Sequence, residues 1–482
     1  MFKCTGVCAS CGRCQSSAMM RSANERKTRM LEYPEGFKAD SGEQGLGAAF
    51  DIGTTTVVGM LWDLAAGEQI AAAARTNPQN EFGMDVVSRI SYCGREGENL
   101  GVLRGKITAC ISEITEELCE KAGRDTSEVA KATVCGNTTM SHLFAGYPPM
   151  SLALAPFTPA YTGVLEMTGA EALVEALPDD AKVTVIPNIA GHVGGDITAG
   201  LVATRMLDAK GLTLFIDIGT NGEIVLTDGT DFYACSTAAG PAFEGSAIRC
   251  GMRAADGAIE KVRIDGDRVE VDVIGDVDSG PDADSDVSFS QNAGVKPQGI
   301  CGSGLIDAVA EMLDAKLIDK KGRMAAADEG EKRGFDPALA GRLITVDGER
   351  QFVLVAGESG ADVVITQKDI REVQLAKGAI SAGIQLMLKE VGRTADEIER
   401  VIVAGAFGNH IDKESAVRIG VLPDIPVERI DSAGNAAGAG VSMTLVSAAE
   451  MELARRIPET VKHVELAEKP DFQMVYLGAM GF

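Results

Sequence analysis

The sequence predicts an α/β protein built from two related halves, and three observations predict it. "AFDIGTTTVVGML" at residues 49–61 interrupts an apolar run with an aspartate, a glycine and three threonines. A variant, "LFIDIGTNGEIVL", returns at residues 214–226. Between and after these strings, apolar runs of strand length alternate with stretches of helical periodicity, the pattern of helices layered on sheets.

The elements follow in order. Residues 1–16 form a cysteine-rich tip. Residues 17–46 show no sustained apolar periodicity and read as a linker arm. Through Lys38 the chain carries seven basic residues against three acidic, so this end is positive while the remainder is acidic. From residue 47 the pattern is β-β-α. "AAFDIG" and "VVGMLWDL" are strands joined by the "GTTT" turn, and residues 99–123 have helical spacing that stops at Gly123. "KATVCGN" and "AKVTVIPNI" are strands, and "GGDITAGLVATRML" a helix; a first half over 47–200 is expected. The second half, 201–482, opens with the hairpin "LTLFIDIG"/"EIVLTDG". It carries an acidic, turn-rich surface insertion near 265–290, then "GICGSGLIDAVAEMLDA" (loop into helix) and "KDIREVQLAKGAISAGIQLMLKEV" (long helix). "RVIVAGAFGNHIDKESAVRI" follows as strand, glycine turn and helix.

Composition narrows the function. The 482 residues are 45% apolar, enough for two or three domains with real cores. A formal charge of −25 argues against nucleic acid or an anionic membrane as the main partner. No stretch reaches the roughly 18 consecutive apolar residues of a membrane helix. The first residues lack the apolar core of a signal peptide, and a cytoplasmic location is expected. Of eleven cysteines, seven are scattered among apolar neighbours and read as small buried hydrophobes. The aspartates of the insertion do not form a calcium loop, because no glutamate closes it.

The two polar interruptions are read as phosphate-holding hairpins. In each, Gly53, Thr54 and Thr55, or Gly219, Thr220 and Asn221, supply N–H and hydroxyl donors and close backbone approach. Asp51 and Asp217, just before the turns, cannot hold phosphate but can hold a hydrated Mg2+ that does. Each D-x-G-T could be a plain β-turn; two of them, each opening a strand–turn–strand unit, make the phosphate reading.

These strings resemble the actin, heat-shock chaperone and sugar kinase superfamily, in which two ribonuclease H-like halves clamp ATP in a cleft. The resemblance covers about residues 47–450. It implies that "FDIGTTT" and "FIDIGTNGE" are the two phosphate motifs, and that "GGDITAGLVA" is the first connecting helix, with Asp196 near the attacking water. An N-cap is the alternative role for Asp196. "QLAKGAISAGIQLML" is then the second connecting helix, and "VIVAGAFGNH" the adenosine motif, with Gly405 and Gly408 passing under base and ribose. Gly302 and Ser303 fall in a loop at a helix N-terminus near the nucleotide; in "GPAFEG", Gly240 is expected in the nucleotide site and Glu244 at a ribose hydroxyl. His192 and His410 read as loop hydrogen-bonders.

A narrower resemblance lies in "NPQNEFGMDVVSRI", "VCGNTTMSHL", "IPNIAGHVGGDITAGL", "STAAGPAFEGSAIRCGM" and "GICGSGLIDAV". They are similar to the reductive activators of corrinoid-dependent methyltransferases, iron–sulfur ATPases that return Co(II) corrinoid to Co(I). The resemblance implies ATP and Mg2+ as cofactors, a corrinoid protein as partner and an electron donor of unspecified identity; it leaves open a homodimer. Many such activators carry a full ferredoxin-like domain with a two-iron cluster, whereas this chain has "CTGVCASCGRC". Cys4, Cys8, Cys11 and Cys14 at that spacing suit a four-iron, four-sulfur cluster, with zinc as the rival and Cys14 the least fixed ligand. A small-molecule kinase, an activator of radical dehydratases and a nucleotide-switched scaffold are the competing functions.

Overall fold

The structure is a computed structural model that describes residues 33–40, 42–275, 295–357, 362–405 and 410–482. The cysteine tip with Cys4, Cys8, Cys11 and Cys14, most of the acidic insertion, and Gly408 lie outside the described residues.

Two six-stranded sheets carry the molecule, and their cores repeat one plan. In the first half β1 (Leu46–Ile52), β2 (Thr56–Asp63) and β3 (Glu68–Thr76) form an antiparallel meander. Helices α1 (Val86–Cys93) and α2 (Asn99–Ala122) precede β4 (Val129–Gly136), which pairs parallel to β1. Helix α3 (Thr138–Ala145), β5 (Leu165–Thr168) and β6 (Lys182–Val185) complete the order β3-β2-β1-β4-β6-β5. Helix α4 (Gly195–Ala203) crosses to the second half. There β7 (Thr213–Ile218), β8 (Gly222–Thr227) and β9 (Phe232–Thr237) repeat the meander.

Two small sheets sit outside this plan. One holds β10 (Ala258–Asp265), β11 (Arg268–Val273) and β12 (Gly299–Ile300), ahead of helix α5 (Gly302–Asp314). The other holds β13 (Leu343–Val346), β14 (Glu349–Val355) and β15 (Val363–Thr366), ahead of helix α6 (Gln367–Glu390). Then β16 (Arg400–Ala404) and β17 (Ile430–Gly434) join β7 in parallel. Helix α7 (Ala436–Val446), β18 (Val461–His463) and helix α8 (Phe472–Ala479) end the chain. The order β17-β16-β7-β8-β9 mirrors β6-β4-β1-β2-β3. The duplication expected from the two "DIGT" strings is therefore a duplicated sheet.

Alternation along the first strand of each half positions the site. Leu46, Ala48, Phe50 and Ile52 enter the first-half core, while Ala49 enters a separate cluster with Ala199, Ala437, Val441 and Leu445. Likewise Leu214, Ile216 and Ile218 face one core and Phe215 the other, among Ile197, Leu201, Ala439 and Met443. Asp51 and Asp217 follow the register of Ala49 and Phe215, so both face the helix layer between the sheets. That layer is α4 against α7. A Cβ on Gly440 would stand 1.9 Å from the Ala199 carbonyl oxygen, and one on Gly200 2.8 Å from the Phe215 ring.

Several expectations are corrected here. The second helix between the halves is α7, whose "GNAAGAG" makes the close approach; "QLAKGAISAGIQLML" lies in α6, which packs on β8, β9 and α8 within the second half. The division at residue 200 falls inside α4, so the halves share a helix layer. Residues 33–40 are packed: Tyr33 stacks edge-on against Trp62 at 5.4 Å and donates to Gln69 Oε1 at 2.7 Å, and Asp40 N donates to Val446 O. The start of the acidic insertion is strand β11, paired with β10 through the turn at Gly266. Strand β3 went unread because "EQIAAAART" is alanine-rich, with Ile70 and Thr76 its only β-branched residues. Among the described residues, no helix is long and apolar enough to cross a membrane.

Gly440→Ala is expected to lower unfolding free energy by about 1–3 kcal/mol through overpacking of the helix layer. Gly105→Ala, in open space on α2, is expected to be neutral or to stabilise by up to about 1 kcal/mol. Urea unfolding of both variants checks the contrast.

Candidate active site

A cavity of about 460 Å³ opens between the halves, at the ends of β1 and β7 and the starts of α4, α5 and α7. That volume is ample for a nucleotide-sized ligand. The first hairpin closes on Gly53, whose N–H donates to Thr56 O at 3.0 Å; a Cβ there would stand 2.6 Å from that oxygen. The second closes through Gly219 N–H to Asn221 O at 2.9 Å. Gly53, Thr54, Thr55, Gly219, Thr220 and Asn221 all line the cavity, as do Gly302, Ser303 and Gly405. Gly405 has φ +91°, and a Cβ would stand 2.6 Å from Asp217 Oδ1. Only glycine lets this loop lie against the carboxylate.

Four carboxylates converge, besides that of Glu244. Asp51 and Asp217 end their strands, Asp196 sits in the first turn of α4, and Glu223 lies directly across the β7–β8 hairpin from Asp217. Burial, then mutual repulsion, raises their pKa values: Asp217 to about 7 beside Asp51, and Asp196 to about 8 beside Asp217 and Asp51. Glu223 is held well above the usual range, first by burial and then by Asp196 and Asp217. Asp51 rises only to about 6, because the Cys135 thiol and Asn435 donate to it against the effect of burial. Asp196 is not the N-cap of α4; Gly194 is, while Asp196 Oδ1 accepts from Ile197 N at 2.8 Å. Its carboxylate is thus in the first turn with an oxygen toward the cavity.

Donors balance this acidity. Asp196, Asn435 and Ser303 bring the N-termini of α4, α7 and α5 to the cavity, and Asn435 caps α7 by accepting from Gly438 N at 2.7 Å. Three helix N-termini favour an anion there. Arg253 adds an exposed guanidinium at the wall. Among the described residues no three His, Cys, Asp or Glu side chains could hold a metal ion directly. Carboxylates are hard oxygen donors of the kind that suit a hydrated Mg2+, held through its own waters.

Other sequence-predicted residues divide. Glu244 does line the cavity, but its carboxylate bridges the two hairpins: Oε2 accepts from Thr55 Oγ1 at 2.9 Å and Oε1 from Thr220 Oγ1. The expected ribose contact would come from this same position in the lining. Gly240 lies outside the lining; with φ +78° it starts the turn that delivers Glu244. His410 lines the cavity, whereas His192 packs on Phe157 in a separate groove. Gly408 and the four tip cysteines lie outside the described residues. Sequence reasoning missed Glu223, Asn137 and Arg253. For Glu223 the signal was present, because a tight hairpin at 219–221 puts it opposite Asp217. Asn137 donates to Thr54 Oγ1 at 2.9 Å and caps α3; nothing in "VCGNTTM" pairs it with the hairpin.

A duplicated sheet, paired hairpins and a carboxylate-lined cleft define a protein of the actin-like ASKHA fold. The comparisons agree. Residues 46–209 match the RACo middle region and residues 211–482 the C-terminal domain of RACo, the ASKHA domain, and the chain belongs to that family. It is 38% identical over 434 residues to the corrinoid activation enzyme RamQ of Eubacterium limosum, covering 89% of this chain and 69% of that protein. It is 26% identical over 452 residues to the [Co(II) methylated amine-specific corrinoid protein] reductase of Methanosarcina barkeri, covering 90% and 77%. The solved structure of a reductive activator for corrinoid,iron-sulfur protein superposes with a TM-score of 0.78 at 35% identity, over 92% of this chain and 67% of that one.

The raised carboxyls set a pH dependence. The unfolded chain releases these protons near pH 4, while the folded protein holds them to about 6, 7 and 8. Folding therefore weakens as pH rises from about 4 to 8. Asp196→Asn is expected to stabilise the nucleotide-free protein more at pH 8.5 than at pH 5, by upwards of about 1 kcal/mol. Equal thermal shifts at the two pH values would contradict the assignment.

Proposed function

We propose that the protein is an ATP-dependent reductive activator, passing low-potential electrons from an iron–sulfur cluster on its cysteine tip to a corrinoid protein and returning Co(II) to Co(I). The observation that carries the ATPase reading is the convergence of both hairpins and four carboxylates on one cavity. The corrinoid reading is supported by relatives named for corrinoid activation and for reduction of a Co(II) corrinoid protein.

The chain's residues fit these roles. Thr54, Thr55, Thr220 and Asn221 offer donors to the β- and γ-phosphates. Asp51 and Asp217 would hold the waters of a Mg2+, which would neutralise phosphate charge. Asp196 orients the attacking water and takes its proton, which requires its carboxylate form. With its pKa near 8, that form is scarce at neutral pH until a cation enters the cleft and lowers it. Gly405 lets the backbone pass under the adenosine. Glu244 must release Thr55 and Thr220 for their hydroxyls to turn to phosphate.

Four thiolates on the tip suit a cluster that would supply one electron for each Co(II) reduced. Reduction to Co(I) is uphill for ordinary cellular donors, so it needs coupling to ATP hydrolysis. A cleft with bound-ATP and bound-ADP forms provides this only by differing in affinity for two partner states.

Two variants test the reading under anaerobic conditions with a corrinoid protein and a chemical reductant. Asp196→Ala is expected to keep ATP binding and cluster iron while losing turnover by about 10²-fold or more. Deleting residues 1–16 is expected to spare ADP release and abolish Co(I), read from its absorption band. Undiminished Co(I) formation without the tip would overturn the electron route; undiminished hydrolysis in Asp196→Ala would remove that residue from the mechanism.

A further inference from the structure

The string "NPQNEFGMDVVSRI" is absorbed by neither the cavity nor the fold's core plan, yet it grips the first hairpin from behind. Asn77 Nδ2 donates to Gly53 O at 2.9 Å, Arg89 Nη2 to Thr54 O at 2.6 Å, and Asn77 N to Thr55 O at 2.9 Å. Three successive carbonyls of the hairpin are thus tied to one strap. In a planar trans peptide the N–H of the next residue points away from the carbonyl. Tying these carbonyls therefore turns the N–H groups of Thr54, Thr55 and Thr56 away from the strap. Those three threonines line the cavity and no strap residue does.

Arg89 is the unusual member. Its side chain is wholly buried, and among the described residues no carboxylate is in ion-pair contact with it. Its partners are neutral: Thr54 O, Gly83 O at 2.9 Å, Gln79 Oε1 at 3.1 Å, Asn80 Oδ1 at 2.5 Å and Met140 Sδ. Asp85, the nearest acid, is occupied in capping α1 through Ser88 N and Oγ, each at 2.8 Å. Burial lowers Arg89 to about 10 against the opposing effect of the Asp85 charge, so it stays cationic at neutral pH. A buried cation whose one acting acid is engaged elsewhere is only partly compensated, and the remaining cost falls when an anion arrives nearby. Packing alone would be met by a neutral side chain.

We infer that Arg89 is a positioning residue that sets the first hairpin in its anion-receiving form and supplies, from behind one peptide plane, positive charge for a bound polyphosphate. This rests on the nucleotide reading of the cavity. It also accounts for how a cleft with four carboxylates accepts a triphosphate: part of the compensating charge lies outside the lining.

Asn80→Asp isolates the charge from the packing. The change is isosteric and puts a carboxylate where Arg89 already bonds, so the hydrogen bond stays and the cation is neutralised. Calorimetric titration with Mg-ATP and with adenosine, alongside thermal unfolding, gives the readouts. The expected result is an unchanged or higher Tm, ATP affinity weakened about tenfold, as for loss of one charge-assisted interaction, and adenosine affinity within twofold. Arg89→Lys, which cannot reach five acceptors, is expected to lose ATP affinity likewise, with a lower Tm. Unchanged ATP affinity in Asn80→Asp, or equal losses for ATP and adenosine, would overturn the inference. Failure of the unsubstituted protein to bind ATP would instead overturn the nucleotide reading.

Discussion

The contact on which the architecture rests is the close approach of α4 to α7. Gly440 lies so near the Ala199 backbone that no side chain fits between, and each helix offers one face to either sheet. Ala199 and Val441 pack toward the first half, Leu201 and Met443 toward the second. The thin layer brings the ends of β1 and β7 to a common cavity, so Asp51 and Asp217 share it although 166 residues separate them. Both helices begin at that cavity, so the contact that joins the halves also aims two positive helix ends into the site.

Electrostatics make the cleft incomplete by itself. Burial raises the pKa values of four carboxylates, and repulsion from their neighbours raises those of Asp196, Asp217 and Glu223 further, while Glu244 occupies hydroxyls from both hairpins. Such a site is stabilised by a cation that neutralises the acids and an anion that meets the helix ends, the hairpin amides and the charge behind them. Mg-ATP brings both. A free metal ion brings only one, and no three ligands stand ready to hold it directly among the described residues.

Much of this was legible in the sequence because it is local. Period-2 alternation interrupted by "DIGT" fixed both hairpins and the aspartates before them, and Gly123, in the left-handed conformation, ends its helix as read. What escaped depends on distance. The connecting role passed from α6 to α7 because both carry small residues, and only the packing shows whose glycine meets another helix's backbone. The bridge made by Glu244 escaped because nothing in "GPAFEG" reveals that a turn carries it to Thr55 and Thr220. Arg89 drew no reading from the sequence, because its burial follows from Gln79, Asn80 and Thr54 closing around it.

The claim that the carboxylate cleft completes itself only with a metal–nucleotide pair is tested most directly by Mn2+ in place of Mg2+. The free-ion EPR signal of Mn2+ is followed as protein is added, without and then with ATP. The account predicts that protein alone leaves the signal nearly unchanged and that ATP draws one Mn2+ per chain onto the protein, beyond what ATP alone removes. Equally tight Mn2+ binding without nucleotide, or none with it, would contradict the account.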